Sequence, residues 1–282
     1  MTSVPRIPQK TLLSFIREDA PSGDITSEAV IGDIPCKAHI IARDHGVIAG
    51  LEEAETLFDA HGVRMVLCVK DGLEVDRNTI LATMEGPARA ILLVERTALN
   101  IIGRMSGIAS MTRRMQSILD RAHSGCSIAS TRKTAPGLRL LDKKAVMLGG
   151  GYAHRLTLSD GVMIKDNHLT LVPLETAVHL AKARIPSTKI EVEVETPQDA
   201  LCAAQAGADI LLFDNMPPAV IQKTLSLLTQ ADLRGHLLIE VSGGISEENL
   251  SDFALKGVDL ISMGALTHSV RNFDVSLEIH KS

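Results

Sequence analysis

"KIEVEVETPQDALCAAQAGADILLFDNMPPAVIQKTLSLLTQADLRGHLLIEVSGG", residues 189–244, alternates short apolar runs with amphipathic stretches. KIEVEV (189–194), DILLF (209–213) and LLIEVS (237–242) have the length and β-branched content of strands, while TPQDALCAAQAG and PPAVIQKTLSLLTQ carry helical spacing. Strands that are almost continuously apolar are buried on both faces, as in a parallel sheet covered by helices. The pattern extends in both directions. CSIAS (126–130) and GVMIK (161–165) precede it, DLISMG (259–264) follows, and PLETAVHLAKARI and SEENLSDFALKG are further helix candidates. The six strands so read fit either an open doubly wound sheet or a closed or nearly closed barrel, a full eight-stranded one needing strands from elsewhere.

Up to about residue 92 the pattern differs. A helix, LEEAETLFDAHG (51–62), lies among β-like runs (AHIIARDHGVIAG, RMVLCVK, TILATMEGPARAILL) parted by turn formers, which predicts a small α+β domain. A long helix follows from about Leu93, with Val94, Ala98, Ile101, Ile102 and Met105 on one face and a break expected at Ser106-Gly107.

Composition narrows the function. The chain of 282 residues is 45% hydrophobic and 22% charged, ordinary for a globular protein, and its formal net charge is −5. That balance, with 2% aromatic residues and no Trp, excludes a broad nucleic-acid surface. Cys36, Cys68, Cys126 and Cys202 form no CxxC pair and no metal-ligand spacing; each lies in an apolar run, which predicts buried reduced thiols. MTSVPRIPQK lacks the apolar core of a signal peptide and no run is long enough to span a bilayer, so a cytoplasmic enzyme or binding protein is expected.

Against this acidic background, residues 130–168 gather Arg132, Lys133, Arg139, Lys143, Lys144, Arg155 and Lys165, which points to a small anionic ligand. In parallel α/β folds the functional groups sit at the C-terminal ends of strands. Those positions hold Thr131-Arg132-Lys133, Lys165-Asp166-Asn167-His168, Glu193 with Glu195, Asp214-Asn215, Ser242-Gly243-Gly244 and Gly264-Ala265. Glycine turns offer backbone N–H groups to phosphate. Glu193 and Asp214 fit three roles: pairing with the cations, holding a Mg²⁺-bearing ligand, or stabilising a developing positive charge. GGG (149–151) is not a Walker A loop; it either lets backbones pass closely or touches the ligand. A phosphorylated sugar with a cationic transition state fits the set.

The runs TRKTAPGLR, GGGYAHR, SDGVMIKDNH, EVEVE, LLFDNM, EVSGGIS and GVDLISMGALTHS, with VERTALNIIGRMSGIAS, GVIAGLEEA and EDAPSGDITSEA upstream, resemble the quinolinate phosphoribosyltransferase family over nearly the whole chain. The resemblance implies an α/β fold: an N-terminal α/β sandwich (1–108), with a C-terminal tail (267–282) packing back on it, and an open α/β barrel (109–266). It implies Mg²⁺-dependent transfer from phosphoribosyl pyrophosphate to quinolinate, giving nicotinate mononucleotide, CO₂ and pyrophosphate in NAD biosynthesis. Carried over by motif, Arg132, Lys133, His154, Arg155 and Lys165, with Thr131, would line the quinolinate and pyrophosphate sites. Arg96 would enter from the other subunit of a homodimer, itself able to build a higher oligomer. Glu193 and Asp214 would hold the ribose and Mg²⁺ region and act with Lys133 and Lys165 in catalysis. Ser242, Gly243, Gly244, Met263, Gly264 and Ala265 would bind the 5′-phosphate, and Lys143 is favoured over Lys144 as an added charge. Thr157 stands where the family pattern has glycine. A related molybdate-operon branch with another aromatic carboxylate acceptor, an aldolase using Lys165 as a Schiff-base amine, and a non-catalytic sensor are the competing readings.

Overall fold

The computed structural model describes residues 6–280. The elements run α1 (Gln9–Asp19), α2 (Ile25–Val30), β1 (Pro35–Ala42), β2 (Gly46–Val47), α3 (Leu51–Asp59), β3 (Arg64–Leu67), β4 (Glu74–Val75) and β5 (Ile80–Pro87). There follow α4 (Ala88–Arg121), β6 (Ser127–Ala129), α5 (Arg139–Leu148), β7 (Val162–Ile164), α6 (Asp166–Leu169), α7 (Leu174–Arg184), β8 (Ile190–Val194) and α8 (Pro197–Ala206). The chain closes with β9 (Ile210–Asp214), α9 (Pro218–Gln230), β10 (Leu238–Ser242), β11 (Leu260–Ser262), α10 (Ala265–His268) and β12 (Val275–His280).

Two compact units result. Among the described residues, the first joins 6–113, 134–150 and 266–280; the second joins 114–133 and 151–265.

The first unit is built on an antiparallel sheet in the order β12-β1-β5-β3. Period-2 alternation buries Cys36, Ala38 and Ile40 of β1, and α3 contributes Leu51, Ala54, Leu57 and Phe58 to the same core. α4 runs unbroken through Ser106-Gly107, contrary to the expected break. Ser106 Oγ bonds to the backbone of Ala49, and a Cβ on Gly107 would lie 2.1 Å from the Arg271 carbonyl oxygen. Close approach, not helix termination, explains that glycine. Gly149, the C-cap of α5, is likewise closely approached: an added Cβ would come within 2.5 Å of the Ala109 carbonyl oxygen. Asp142 is fully buried and takes a two-pronged ion pair from Arg104 at 2.8 and 2.9 Å. Cys68, just beyond edge strand β3, is exposed, and Cys202 is half-buried, so the expectation of buried thiols holds only for Cys36 and Cys126.

The second unit is a parallel sheet in the order β6-β11-β10-β9-β8-β7, flanked by α7, α8 and α9. It is an open α/β barrel. Tyr152 adds a bridge at the free edge of β6, pairing with Ala129. Local sequence explains the elements. Thr196 caps α8 by accepting from the Asp199 N–H at 3.1 Å, Pro197 occupies its first turn, and Gly207 ends it at φ 94°. Asp209 and Asp259 tie the strand starts by accepting from Ile190 N and Ile239 N at 2.8 and 2.7 Å. The helix expected over SEENLSDFALKG is reduced to a short 3₁₀ turn at Leu250–Phe253. Asn249 turns the chain there, accepting from Ser246 N and donating to the Gly244 carbonyl.

Candidate active site

Parallel strands deliver their C-terminal ends to one rim. Thr131, Arg132 and Lys133 lie just past β6, Lys165 follows β7, Glu193 is on β8, Asp214 ends β9, Ser242 ends β10, and Met263, Gly264 and Ala265 follow β11. All belong to the second unit. Arg139, Lys143 and Lys144 belong to the first, so the cation-rich run is divided between the units. Lys144 pairs with Glu52 and Glu53 at 2.7 Å each, and Lys143 is fully buried. Arg96 is exposed on α4 and makes no ion pair among the described residues.

The rim is polarised. On the β6–β7 side, Arg132 carries a buried Nε with no hydrogen-bond partner in the protein. A buried orphan donor costs about 1–3 kcal/mol, so this atom calls for an acceptor from a ligand. Arg155 is close enough to Arg132 for the two guanidiniums to repel. Burial depresses its pKa first, while Glu191 acts in the opposite direction. Its guanidinium donates to the Gly161 carbonyl at 3.3 Å and contacts the Met163 sulfur at 2.8 Å, linking the Tyr152 edge of the sheet to β7.

His154 adopts a left-handed φ of 54°, which costs a residue with a Cβ about 1–2 kcal/mol. Both ring nitrogens are engaged. Nδ1 accepts from the Arg155 N–H at 2.8 Å, while Nε2 lies 3.1 Å from a Glu240 oxygen and 3.4 Å from a Glu191 oxygen. Both carboxylates are buried within strands, and Glu240 also accepts from Ser262 Oγ. Burial opposes the imidazolium, but hydrogen bonds to Glu191 and Glu240 outweigh it and raise the His154 pKa to about 9. The Arg155 amide at Nδ1 works against that second ring proton, so full protonation requires the amide to turn away. Burial likewise pushes the Glu191 carboxyl up, opposed by His154. These three side chains converge closely enough to ligate a cation, yet the guanidiniums at 132 and 155 make this an electropositive place; with Glu191 Oε1 and Glu240 Oε2 left without a hydrogen-bond partner, we read the cluster as an ion-paired one.

Toward the β8–β10 side, Lys165 Nζ is ion-paired with Glu193. Asp214 accepts from Asn215 Nδ2 at 2.7 Å. Glu193 is paired in register with Leu212 of β9, so both carboxylates stand on adjacent strand ends. Gly243 and Gly244 both have positive φ, 95° and 62°, and their N–H groups make no hydrogen bond within the described residues. Ser242 accepts at its carbonyl from Asn215 N at 2.9 Å. The Met263 N–H is committed to the Ala129 carbonyl at 2.9 Å, so it is not an open donor.

Sequence reasoning missed Glu191 and Glu240. A carboxylate inside an otherwise apolar strand was the available signal, since burying one demands a partner.

Residues 24–106 match the sequence model described as quinolinate phosphoribosyl transferase, N-terminal domain, and residues 108–278 the C-terminal domain of that name. A probable nicotinate-nucleotide pyrophosphorylase [carboxylating] of Methanothermobacter thermautotrophicus is 45% identical, covering 94% of this chain and 96% of that protein. One from Bacillus subtilis is 42% identical, covering 96% and 93%. Among solved structures, NadC from Streptococcus pyogenes superposes with a TM-score of 0.91 at 36% identity, over 99% of this chain and 100% of that one.

Proposed function

The chain belongs to the quinolinate phosphoribosyltransferase family, and from that membership we propose how its rim residues divide the work. The enzyme transfers phosphoribosyl from phosphoribosyl pyrophosphate to quinolinate, releasing pyrophosphate and CO₂ and giving nicotinate mononucleotide. The observation that carries the residue assignment is the orphaned, buried Arg132 Nε beside Arg155, on a rim whose other end offers the Gly243 and Gly244 N–H groups, unbonded within the described residues.

Arg132 and Arg155 bind the acceptor's carboxylates, guanidinium forks being matched to such groups. Gly243 and Gly244, with Ser242, Gly264 and Ala265, hold the 5′-phosphate, and Thr131 and Lys133 the pyrophosphate. As the bond from the anomeric carbon to pyrophosphate lengthens, positive charge grows on the sugar. Glu193 and Asp214 stabilise it, and the cations, Lys165 among them, stabilise the leaving group. Interactions that strengthen in the transition state raise the rate; equal ones only tighten binding.

Mg²⁺ fits this site in donor chemistry, since Glu193 and Asp214 offer hard carboxylate oxygens on adjacent strand ends. When bound with phosphoribosyl pyrophosphate it would neutralise charge on the departing group. Arg96, exposed and unpaired among the described residues, is proposed to reach the site of a second copy in a homodimer. A cytoplasmic location accords with the substrates, and no helix among the described residues is long and apolar enough to cross a membrane.

A Schiff-base role for Lys165 is disfavoured because its amine is already tied to Glu193. The deciding assay compares quinolinate with nicotinate as acceptor while following pyrophosphate release. Quinolinate should be preferred by about 10²-fold or more, because one missing carboxylate leaves buried cations unpaired. Equal rates would remove the dicarboxylate assignment.

A further inference from the structure

We propose that Glu240, braced by Ser262, is a positioning residue for acceptor recognition: it holds His154 in the left-handed turn that aims Arg155. The proposal rests on the assignment of Arg155 to the acceptor.

The chain of contacts is continuous. Ser262 Oγ donates to Glu240 Oε1, and the other oxygen of Glu240 lies 3.1 Å from His154 Nε2. Glu191 closes on the same nitrogen at 3.4 Å. The opposite ring nitrogen lies 2.8 Å from the backbone nitrogen of Arg155, so the ring sits directly against the peptide from which Arg155 projects. His154 sits at φ 54°, a conformation that persists in a residue with a Cβ only where surroundings enforce it. Ser130 Oγ adds a bond to the Ala153 carbonyl at 3.0 Å, pinning the residue before the turn. With Nδ1 against the Arg155 amide and Nε2 within ion-pair reach of two buried carboxylates, His154 acts on the acceptor through the geometry it imposes. The two carboxylates, at 5% and 3% side-chain exposure, are buried far more deeply than surface ion pairs. Such investment inside a strand is explained by a polar network that specifies one arrangement.

The test is steady-state kinetics of Glu240→Ala, Glu240→Gln and Ser262→Ala beside the wild type, with melting temperature measured on each. For Glu240→Ala, KM for quinolinate should rise by about 10- to 100-fold, the range for loss of a partner that orients a ligating group, while KM for phosphoribosyl pyrophosphate stays within about twofold. Glu240→Gln keeps the shape and an acceptor oxygen and should recover part of the loss; Ser262→Ala should show a smaller rise of the same kind. The preference for quinolinate over nicotinate should shrink in parallel. A melting temperature that falls while quinolinate KM stays put, or both KM values rising together, would overturn the positioning role. A wild-type enzyme that turns over no quinolinate would instead remove the acceptor assignment itself, and the role with it.

Discussion

Gly243 and Asn215 fit so closely that a Cβ on the glycine would lie 2.2 Å from Asn215 Oδ1 and 2.7 Å from the Asn215 backbone nitrogen. Gly244 shares the positive φ but has open space around its Cβ position. The two substitutions should therefore separate. Gly244→Ala meets only the left-handed penalty, about 1–2 kcal/mol. Gly243→Ala must also displace Asn215, which orients Asp214, so KM for phosphoribosyl pyrophosphate should rise about tenfold or more. Equal effects in a kinetic comparison would show that the contact has no role in substrate binding.

Asp214→Asn keeps the side chain's shape and removes its charge. Loss of an electrostatic stabiliser should lower kcat by about 10²-fold or more, with KM little changed. A bland role in pairing would lower the melting temperature and leave the kcat of the folded enzyme intact.

Stability should depend on pH through His154. Burial opposes the charged ring, but donation to the Glu191 and Glu240 carboxylates, together with their negative charge, outweighs it, so the His154 pKa in the folded chain, about 9, stands above the ordinary 6.5. That contribution is complete below pH 6.5 and disappears as pH rises through 9. Glu191, also raised, acts in the same sense from the carboxylate range upward. Urea denaturation at pH 6.5 and pH 9.5 should show a larger loss for wild type than for His154→Gln; parallel losses would mean that the ring is not protonated in the folded state.

Arg104→Ala should destabilise the first unit by up to about 3–5 kcal/mol, since it removes the two-pronged ion pair of buried Asp142 and leaves Lys143 as a neighbouring cation. Burial already raises the Asp142 carboxyl against the effect of Arg104. Without the guanidinium its protonation becomes easier, so acidification should narrow the gap between variant and wild type. Calorimetry from neutral to mildly acidic pH would reveal a constant gap if Asp142 were solvated instead.

Arg96→Ala and Lys165→Ala should each be nearly inactive, and re-assembling a mixture should return part of the activity, because one site of a mixed dimer regains both residues. No recovery despite demonstrated subunit exchange would place Arg96 outside the partner's site.

The strands of the second unit were legible because burial on both faces leaves an unbroken apolar run, and the rim followed from where those runs stop. KIEVEV and DILLF, for example, became β8 and β9 nearly residue for residue. Glycine was harder to read. Gly149 approaches Ala109, one of the two roles read for GGG, but Gly107 serves a close approach to Arg271 and nothing local distinguishes such a glycine from a helix stop. Residues 246–257 carry helical spacing, yet side-chain bonds from Asn249 compete successfully for the loop backbone. The work of Glu191 and Glu240 was illegible because it depends on which strands become neighbours and on His154 arriving from a different segment.

Pairing of β1 with β12, from Lys37 opposite His280 to Ala42 opposite Val275, also sets a schedule for synthesis. When β1 and β5 have left the ribosome, one edge of β1 still lacks its partner, and it waits while the whole parallel sheet is made. An unpaired edge is the feature that recruits stray strands from neighbouring chains. The nascent first unit therefore exposes that edge of β1 until β12 is made.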